Sequence, residues 1–174
     1  MEKIDEVYGY HNVPFGPEGS VTCCQGAFMA GVVIIKIEVI GQGGHGSEPA
    51  KSIDPITAAC QLHSAFHTIK SRSVMNTDVV AFTICEFSSG STYNVIPRTA
   101  FMQGTIRYFD IEVKNKVIER IKALTQSTCE GFGCKYNIEI IEQYPPLINS
   151  DKQTKIVIDI AKETLGEEGV NTKN

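Results

Sequence analysis

The chain has 174 residues, enough for one domain with pieces of another, and well above the size at which small folds need disulfide or metal staples. Hydrophobic residues make up 42% and charged residues 21%, the balance of a folded chain rather than a disordered one. Lys and Arg total 16 against 20 Asp and Glu, a net charge of −4 with no basic cluster, which argues against nucleic acid as the main partner.

The longest apolar stretch runs from Gly26 to Ile35 and stops at Lys36, far short of the roughly 20 residues a membrane span needs. The opening MEKIDEVYGY carries acids and no apolar centre, so it does not read as a secretory signal. Cysteines fall at 23, 24, 60, 85, 129 and 134 with no C-x-x-C pair and no zinc-ribbon spacing. Reduced thiols in a cytoplasmic protein are the expectation.

Residues 1–27 read as a piece of a larger unit: Glu6 to His11 as the end of a strand, then a loop punctuated by Pro14, Gly16, Pro17 and Gly19. Val32 to Ile40 (VVIIKIEVI) begins as a β-branched run and ends with Lys36 and Glu38 alternating against Ile35, Ile37 and Val39, a strand. A glycine-rich turn, GQGGHGSEP, follows it. Asp54-Pro55 then supplies an N-cap carboxylate and a proline at the first helical position. The helix it opens is predicted to run to about Arg72, with Ile56, Ala59, Leu62, Phe66 and Ile69 on one face.

Asp78 to Phe87 is β-rich, Ser88 to Ser91 is a turn, Tyr93 to Ile96 is a short strand cut by Pro97, and Thr99 to Phe109 is a further strand. Asp110 caps a second helix reaching about Glu130, with Val113, Val117, Ile121, Leu124 and Thr128 on one face and Gly131 and Gly133 stopping it. Cys134 to Gln143 alternates as a half-exposed strand, Pro145-Pro146 ends the domain, and Ser150 or Asp151 starts a last helix. Between residues 28 and 146 the order is β-α-β-β-α-β. That order gives an α+β fold, a four-stranded antiparallel sheet with both helices on one face, the ferredoxin-like split βαβ. Polar residues on the second face fit a sheet with one side open.

Gly41, Gly43 and Gly46 satisfy G-x-G-x-x-G after a strand, but a dinucleotide fingerprint opens its helix on the third glycine. Here Glu48-Pro49 intervenes and the helix waits until Asp54, so the fingerprint does not hold. The glycines read instead as clearance around His45, which could reach past the sheet toward a ligand or another chain. His63 and His67, at i and i+4, have metal-chelating spacing, but the H-E-x-x-H base is replaced by Ser64, and a solvated helix face is the expected reading. His11, at the end of an apolar run, could be a metal ligand at a strand end or a plain loop histidine. Asn94 and Arg107 suit recognition of a carboxylate, although Arg107 alone could equally be a surface charge. No serine sits in a nucleophile-elbow context, so no Ser-His-Asp triad can be argued.

Taken together, VYGYHNVPFGPEG at 7–19, GQGGHGSEPAKSIDP at 41–55, STYNVIPRTAFMQGTIRYF at 91–109 and YPPLIN at 144–149 resemble one family in the right order. It is the zinc- or manganese-dependent amidohydrolase and exopeptidase family of aminoacylase, hippurate hydrolase, auxin-conjugate hydrolases and glutamate carboxypeptidase. The resemblance implies an α/β catalytic domain with a two-metal site and an inserted dimerisation, or lid, domain. Residues 28–146 would be that lid, 1–27 a catalytic-domain strand and loop, and 147–174 the start of the returning catalytic half. It implies that His45 reaches into a partner subunit's site and stabilises the oxyanion, that Asn94 and Arg107 contact substrate, and that His11 is a metal ligand. Lids of the family pair by edge strand and helix, so a homodimer is expected.

The chain departs from the family in three places. The upstream Cys-Gly-His-Asp region and Glu-Glu pair are missing, as is the downstream histidine, so His11 alone remains of the expected metal ligands. A Pro-His pair frequent after the glycine-rich turn is Pro49-Ala50 here. The expectation is therefore part of an N-acyl-amino-acid hydrolase, a truncated product or partial gene, inactive alone. The competing expectation is a stand-alone dimerisation or ligand-binding module without catalysis. A third, a nucleic-acid-binding ferredoxin-like domain, requires Tyr93, Phe101 and Tyr108 exposed on the sheet.

Overall fold

The computed structural model describes residues 4–14 and 16–173. In chain order its strands are β1 (Val21–Thr22), β2 (Gly26–Met29), β3 (Gly31–Ile40), β4 (Gly44–His45), β5 (Val80–Ser89), β6 (Val95–Ile96), β7 (Thr99–Tyr108), β8 (Lys135–Tyr144), β9 (Leu147–Asn149) and β10 (Val170–Asn171). The helices are α1 (Pro55–Phe66), α2 (Thr68–Ser73), α3 (Ile111–Gly131) and α4 (Asp151–Leu165). The chain forms two compact units, one spanning Met29–Ile148 and the other taking the residues up to Phe28 and from Asn149 onward.

The larger unit is a four-stranded sheet of order β5-β7-β3-β8, antiparallel throughout. β3 is central and pairs along its length with β7, from Gly31 opposite Tyr108 to Ile40 opposite Thr99. Its other edge pairs with β8, from Val32 opposite Tyr144 to Ile40 opposite Lys135. Because side chains alternate across a strand, Val33, Ile35, Ile37 and Val39 all point to one face, and each is 0% exposed. Ala100, Met102 and Ile106 of β7 lie on that face too, against Leu62, Phe66, Ile69, Val117 and Ile121 from the helices. Burying such side chains is worth about 1.5–3 kcal/mol each, and this layer holds the unit together.

The opposite face is open to water and carries the polar half of the alternation: Lys36 is 3.2 Å from Glu139, and Asn137 donates to Glu38 at 2.9 Å. Two β-bulges interrupt the ladders, at Cys85 in β5 and Gln143 in β8.

The long helix α3 begins where Asp110 accepts hydrogen bonds from the backbone N–H groups of Glu112 and Val113, a cap worth about 1 kcal/mol. One cation lies buried on its inner side. Lys114 sends its ammonium 2.7 Å to Glu142 of β8 and stands 5.5 Å from the centre of the Tyr108 ring. A buried ammonium is tolerated only with such partners.

In the other unit, β1 and β10 pair in parallel, Val21 opposite Val170. Asn149 donates to the carbonyl of Cys24 at 2.9 Å, and Gln153 of α4 donates to Glu6 at 2.7 Å. Ile156 and Ile160 of α4 are 41% and 58% exposed.

Several sequence expectations are corrected. The stretch Glu6 to His11 is not a strand, because no strand among the described residues supplies it with a ladder partner. The helix expected from Asp54 to Arg72 is two helices, broken at His67, whose N–H turns back to the carbonyl of Ala65. Ile56 faces solvent, and Pro55, Ala58, Ala59, Leu62 and Phe66 form the inner face of α1. The inner face of α3 is centred on Val117, Ile118, Ile121, Thr125 and Cys129, with Val113 and Leu124 at its margin. β5 continues to Ser89, so the turn comes later, and only Val95–Ile96 remains of the strand placed at Tyr93 to Ile96. Tyr108 faces the helices at 3% exposure and Tyr93 stands in a loop, so of the three aromatics named only Phe101 is on the open face, short of the stacking platform that a nucleic-acid-binding ferredoxin fold uses.

All six cysteines are free thiols. Burial, with Cys134 as neighbour, pushes the Cys129 thiol up to about 11, and burial also raises Cys134. Unfolding at high pH therefore releases a proton from Cys129, so its contribution to stability is full below about pH 9 and is lost as pH rises toward 11. In the native chain a thiol reagent should modify exposed Cys60 and Cys85 quickly and leave Cys129 and Cys134 untouched until denaturant is added. Mass-spectrometric mapping of the labelled cysteines checks this, and rapid native labelling of Cys129 would contradict it.

Candidate functional site

The glycine-rich turn after β3 is a junction of backbones. A Cβ on Gly41 would come 2.1 Å from the carbonyl oxygen of Ile53, and one on Gly46 would come 3.2 Å from that of Asn94. The glycines therefore admit other chain segments rather than a phosphate. The N–H of Gly41 donates to the carbonyl of Arg98 at 2.8 Å, and that of Gly46 to the carbonyl of Asn94 at 2.8 Å. Between them β4 pairs with β6, Gly44 opposite Ile96 and His45 opposite Val95. The turn thus bolts His45 to the segment carrying Asn94, and both side chains stand exposed at the end of the sheet where β3 finishes and β7 begins.

The hydrogen bonds on His45 fix its tautomer. The backbone N–H of Ser47 donates to Nδ1 at 3.2 Å, and the Ser47 hydroxyl lies 2.7 Å from the same atom. A backbone N–H can only donate, so Nδ1 accepts and the ring proton resides on Nε2. The glycine-flanked turn thereby presents an N–H donor outward. Glu48, the nearest acid in sequence, is held 2.7 Å from Lys51. Asn94 accepts from the Thr92 hydroxyl at 3.3 Å through its carboxamide oxygen.

Arg107 sits on the open face near the far end of β7, opposite Val32 of β3 and Ala81 of β5. Its guanidinium donates to the Thr105 hydroxyl at 2.7 Å, which in turn donates to the carbonyl of Val33 at 3.3 Å. It lines a shallow depression with Gln103, Thr105, Glu86, Gln143 and Tyr144, at the level of the two bulges. Eight residues of extended chain separate Thr99 from Arg107, about 26 Å at about 3.3 Å per residue. The fold therefore brings His45 and Asn94 together and holds Arg107 away from both. Within one chain they occupy two separate places on the sheet.

His11 is exposed in irregular backbone, with Nδ1 2.8 Å from the carbonyl of Asn12. Among the described residues no three of His, Cys, Asp and Glu stand close enough to hold a metal ion. The residues present thus do not by themselves form the two-metal centre implied by the resemblance. Ser47, which orients the His45 ring, was not singled out from the sequence; its signal was a hydroxyl two residues after a loop histidine.

Over residues 30–132 the chain matches the family described as the peptidase dimerisation domain. It is similar to an N-acetyl-L-cysteine deacetylase of Bacillus subtilis, 39% identical over 161 residues, covering 92% of this chain and 39% of that protein. It is also similar to the hippurate hydrolase of Campylobacter jejuni, 34% identical over 169 residues, covering 96% of this chain and 44% of that protein. A solved Bacillus subtilis structure, described as a dinuclear metal binding peptidase from the M20 family, matches with a TM-score of 0.66 at 25% identity. That match covers 94% of this chain and 39% of the other. The chain thus spans about two fifths of the length of these curated relatives.

Nitrogen-detected NMR of the His45 ring should show Nδ1 as the bare nitrogen and Nε2 as the protonated one at neutral ring charge. The opposite tautomer would mean that the Ser47 contact does not form in solution.

Proposed function

Because this chain belongs to the peptidase dimerisation domain family, we propose that it supplies the dimerising, substrate-covering domain of a metal-dependent amidohydrolase. The substrates proposed are N-acyl amino acids or small peptides, cleaved at the amide bond, in the cytoplasm. The observation that carries the reading is the placement of two complementary half-sites at opposite ends of one sheet. The outward Nε2–H of His45 suits an oxygen that becomes negative as an amide is attacked. The Arg107 guanidinium, braced by Thr105, suits the carboxylate of the amino-acid portion. Asn94, fixed beside His45, adds a carboxamide.

A second copy of the chain supplies the missing geometry. β5 is an edge strand with one charged residue, Glu86, and the twelve residues of α1 carry no Asp, Glu, Lys or Arg. The other edge, β8, carries Lys135, Glu139 and Glu142, the kind of charge that discourages pairing. If two β5 strands pair antiparallel about a two-fold axis, the His45 end of one sheet lies level with the Arg107 end of the other. The strands β7 are then three spacings apart, about 14 Å, instead of the 26 Å or so that separates the half-sites within one chain. A divalent metal pair, zinc or manganese, is proposed for the hydrolase as a whole, by analogy with the dinuclear relative. His11 is the one ligand proposed here. The alternative, a binding module without catalysis, is disfavoured by the exposed Ile156 and Ile160 of α4, which a self-sufficient unit would cover.

Sedimentation should show a dimer that Phe87→Lys, on the β5 edge, converts to monomer; a wild-type monomer at tens of micromolar would overturn the dimer reading. Purified residues 1–174 should not hydrolyse N-acetyl or N-benzoyl amino acids with Zn²⁺ or Mn²⁺ added. Chelator-sensitive turnover by this polypeptide would show that it builds its own metal centre. Transplanted into the hippurate hydrolase in place of the matching segment, residues 29–148, the whole larger unit, should support turnover. In that chimera His45→Ala should lower kcat by about 10²–10³ with little change in KM, whereas Arg107→Ala should act mainly on KM. An active chimera indifferent to both substitutions would sink the assignment.

A further inference from the structure

The α1–α2 joint carries a pair of histidines that the hydrolase reading does not use. His63 lies in the last turn of α1 and His67 at the break itself, their rings meeting edge to face with centroids 4.9 Å apart and planes at 73°. His63 is half-buried against Phe87 of β5, at 6.0 Å between ring centroids, while His67 is exposed. Among the described residues neither imidazole has a hydrogen-bond partner, so their nitrogens are available. Lys70, the nearest cation along the helix, is turned away to the carbonyl of Asp78.

We propose that His63 and His67 form a bis-imidazole chelating site for a borderline divalent ion of the Zn²⁺, Ni²⁺ or Cu²⁺ type. Two imidazoles bound to one ion at about 2.0–2.1 Å per nitrogen hold their ring centroids roughly 4.5–5.2 Å apart for ligand angles between about 90° and 109°. The observed separation falls inside that interval. Nitrogen donors without carboxylates select this class of ion over Mg²⁺ or Ca²⁺. Water fills the remaining positions on the open side, and Phe87 backs the site on the other. The chelate ties the last turn of α1 to the junction residue His67, so a bound ion would hold the end of α1 against fraying.

The test uses the untagged, chelator-stripped chain and calorimetric titration with ZnCl₂ and NiCl₂. One ion per chain at micromolar affinity is expected, weakened at least tenfold by His63→Gln or His67→Gln and unchanged by Cys60→Ser or Cys85→Ser. Amide hydrogen exchange across residues 64–70 should slow on adding Zn²⁺ to wild type and not to His67→Gln. Full-affinity binding in the His63→Gln/His67→Gln double variant would overturn the proposal, as would the absence of binding in wild type. Neither outcome bears on the half-sites of the hydrolase reading, to which none of these residues belongs.

Discussion

Everything in the larger unit depends on β3 being paired on both edges and buried on one face. A strand with partners on both sides satisfies all its backbone groups within the sheet. Its odd-numbered residues must then be apolar, because helices cover that face; its even-numbered residues can be Lys36 and Glu38, because nothing covers the other. That one-sided burial fixes the register, since a slip by a single residue would put Lys36 into the core. With register fixed, the two ends of the sheet become two defined places. One end holds the glycine-rich turn and His45, and the other holds Arg107.

The turn at the first end shows how close backbone approach makes a donor. Gly41 and Gly46 let the chain fold against Ile53 and Asn94, and the short β4–β6 pairing then leaves His45 little freedom. The bond from the Ser47 N–H decides which ring nitrogen carries the proton. A polar group oriented by rigid backbone in this way is organised before any ligand arrives, the condition under which a single hydrogen bond has the greatest effect on a developing charge. The separation of this donor from Arg107 follows from the same rigidity: a straight strand cannot bring its own ends together.

Much of this was legible in the residues. The alternation in VVIIKIEVI, the Asp54-Pro55 and Asp110 helix starts and the Gly131–Gly133 stop each carry a local physical reason, and the elements stand within a residue or two of where those reasons put them. The break at His67 was not legible, because the apolar spacing through Leu62, Phe66 and Ile69 continues across it and only the backbone turn at Ala65 reveals it. The bulges at Cys85 and Gln143 leave no signal in composition. The proposed half-sites were legible as residues and not as distances. Asn94 and Arg107 are thirteen positions apart in sequence, but the path between them turns a corner at Pro97 and then runs the length of a strand. The His45 tautomer needed coordinates, since nothing in G-H-G-S says which nitrogen the next serine will meet.

The central position of β3 also bears on how the chain is made. Ile35 pairs with Gly104 on one side and Ile140 on the other, so its partners lie 69 and 105 residues later. At about 5–20 residues per second, a ribosome takes roughly 5–20 seconds to deliver the last of them. Throughout that interval the most apolar, β-branched stretch of the domain has both edges open, the sort of segment that joins other chains when left waiting. The strand that makes the finished sheet stable is therefore its chief aggregation hazard at birth.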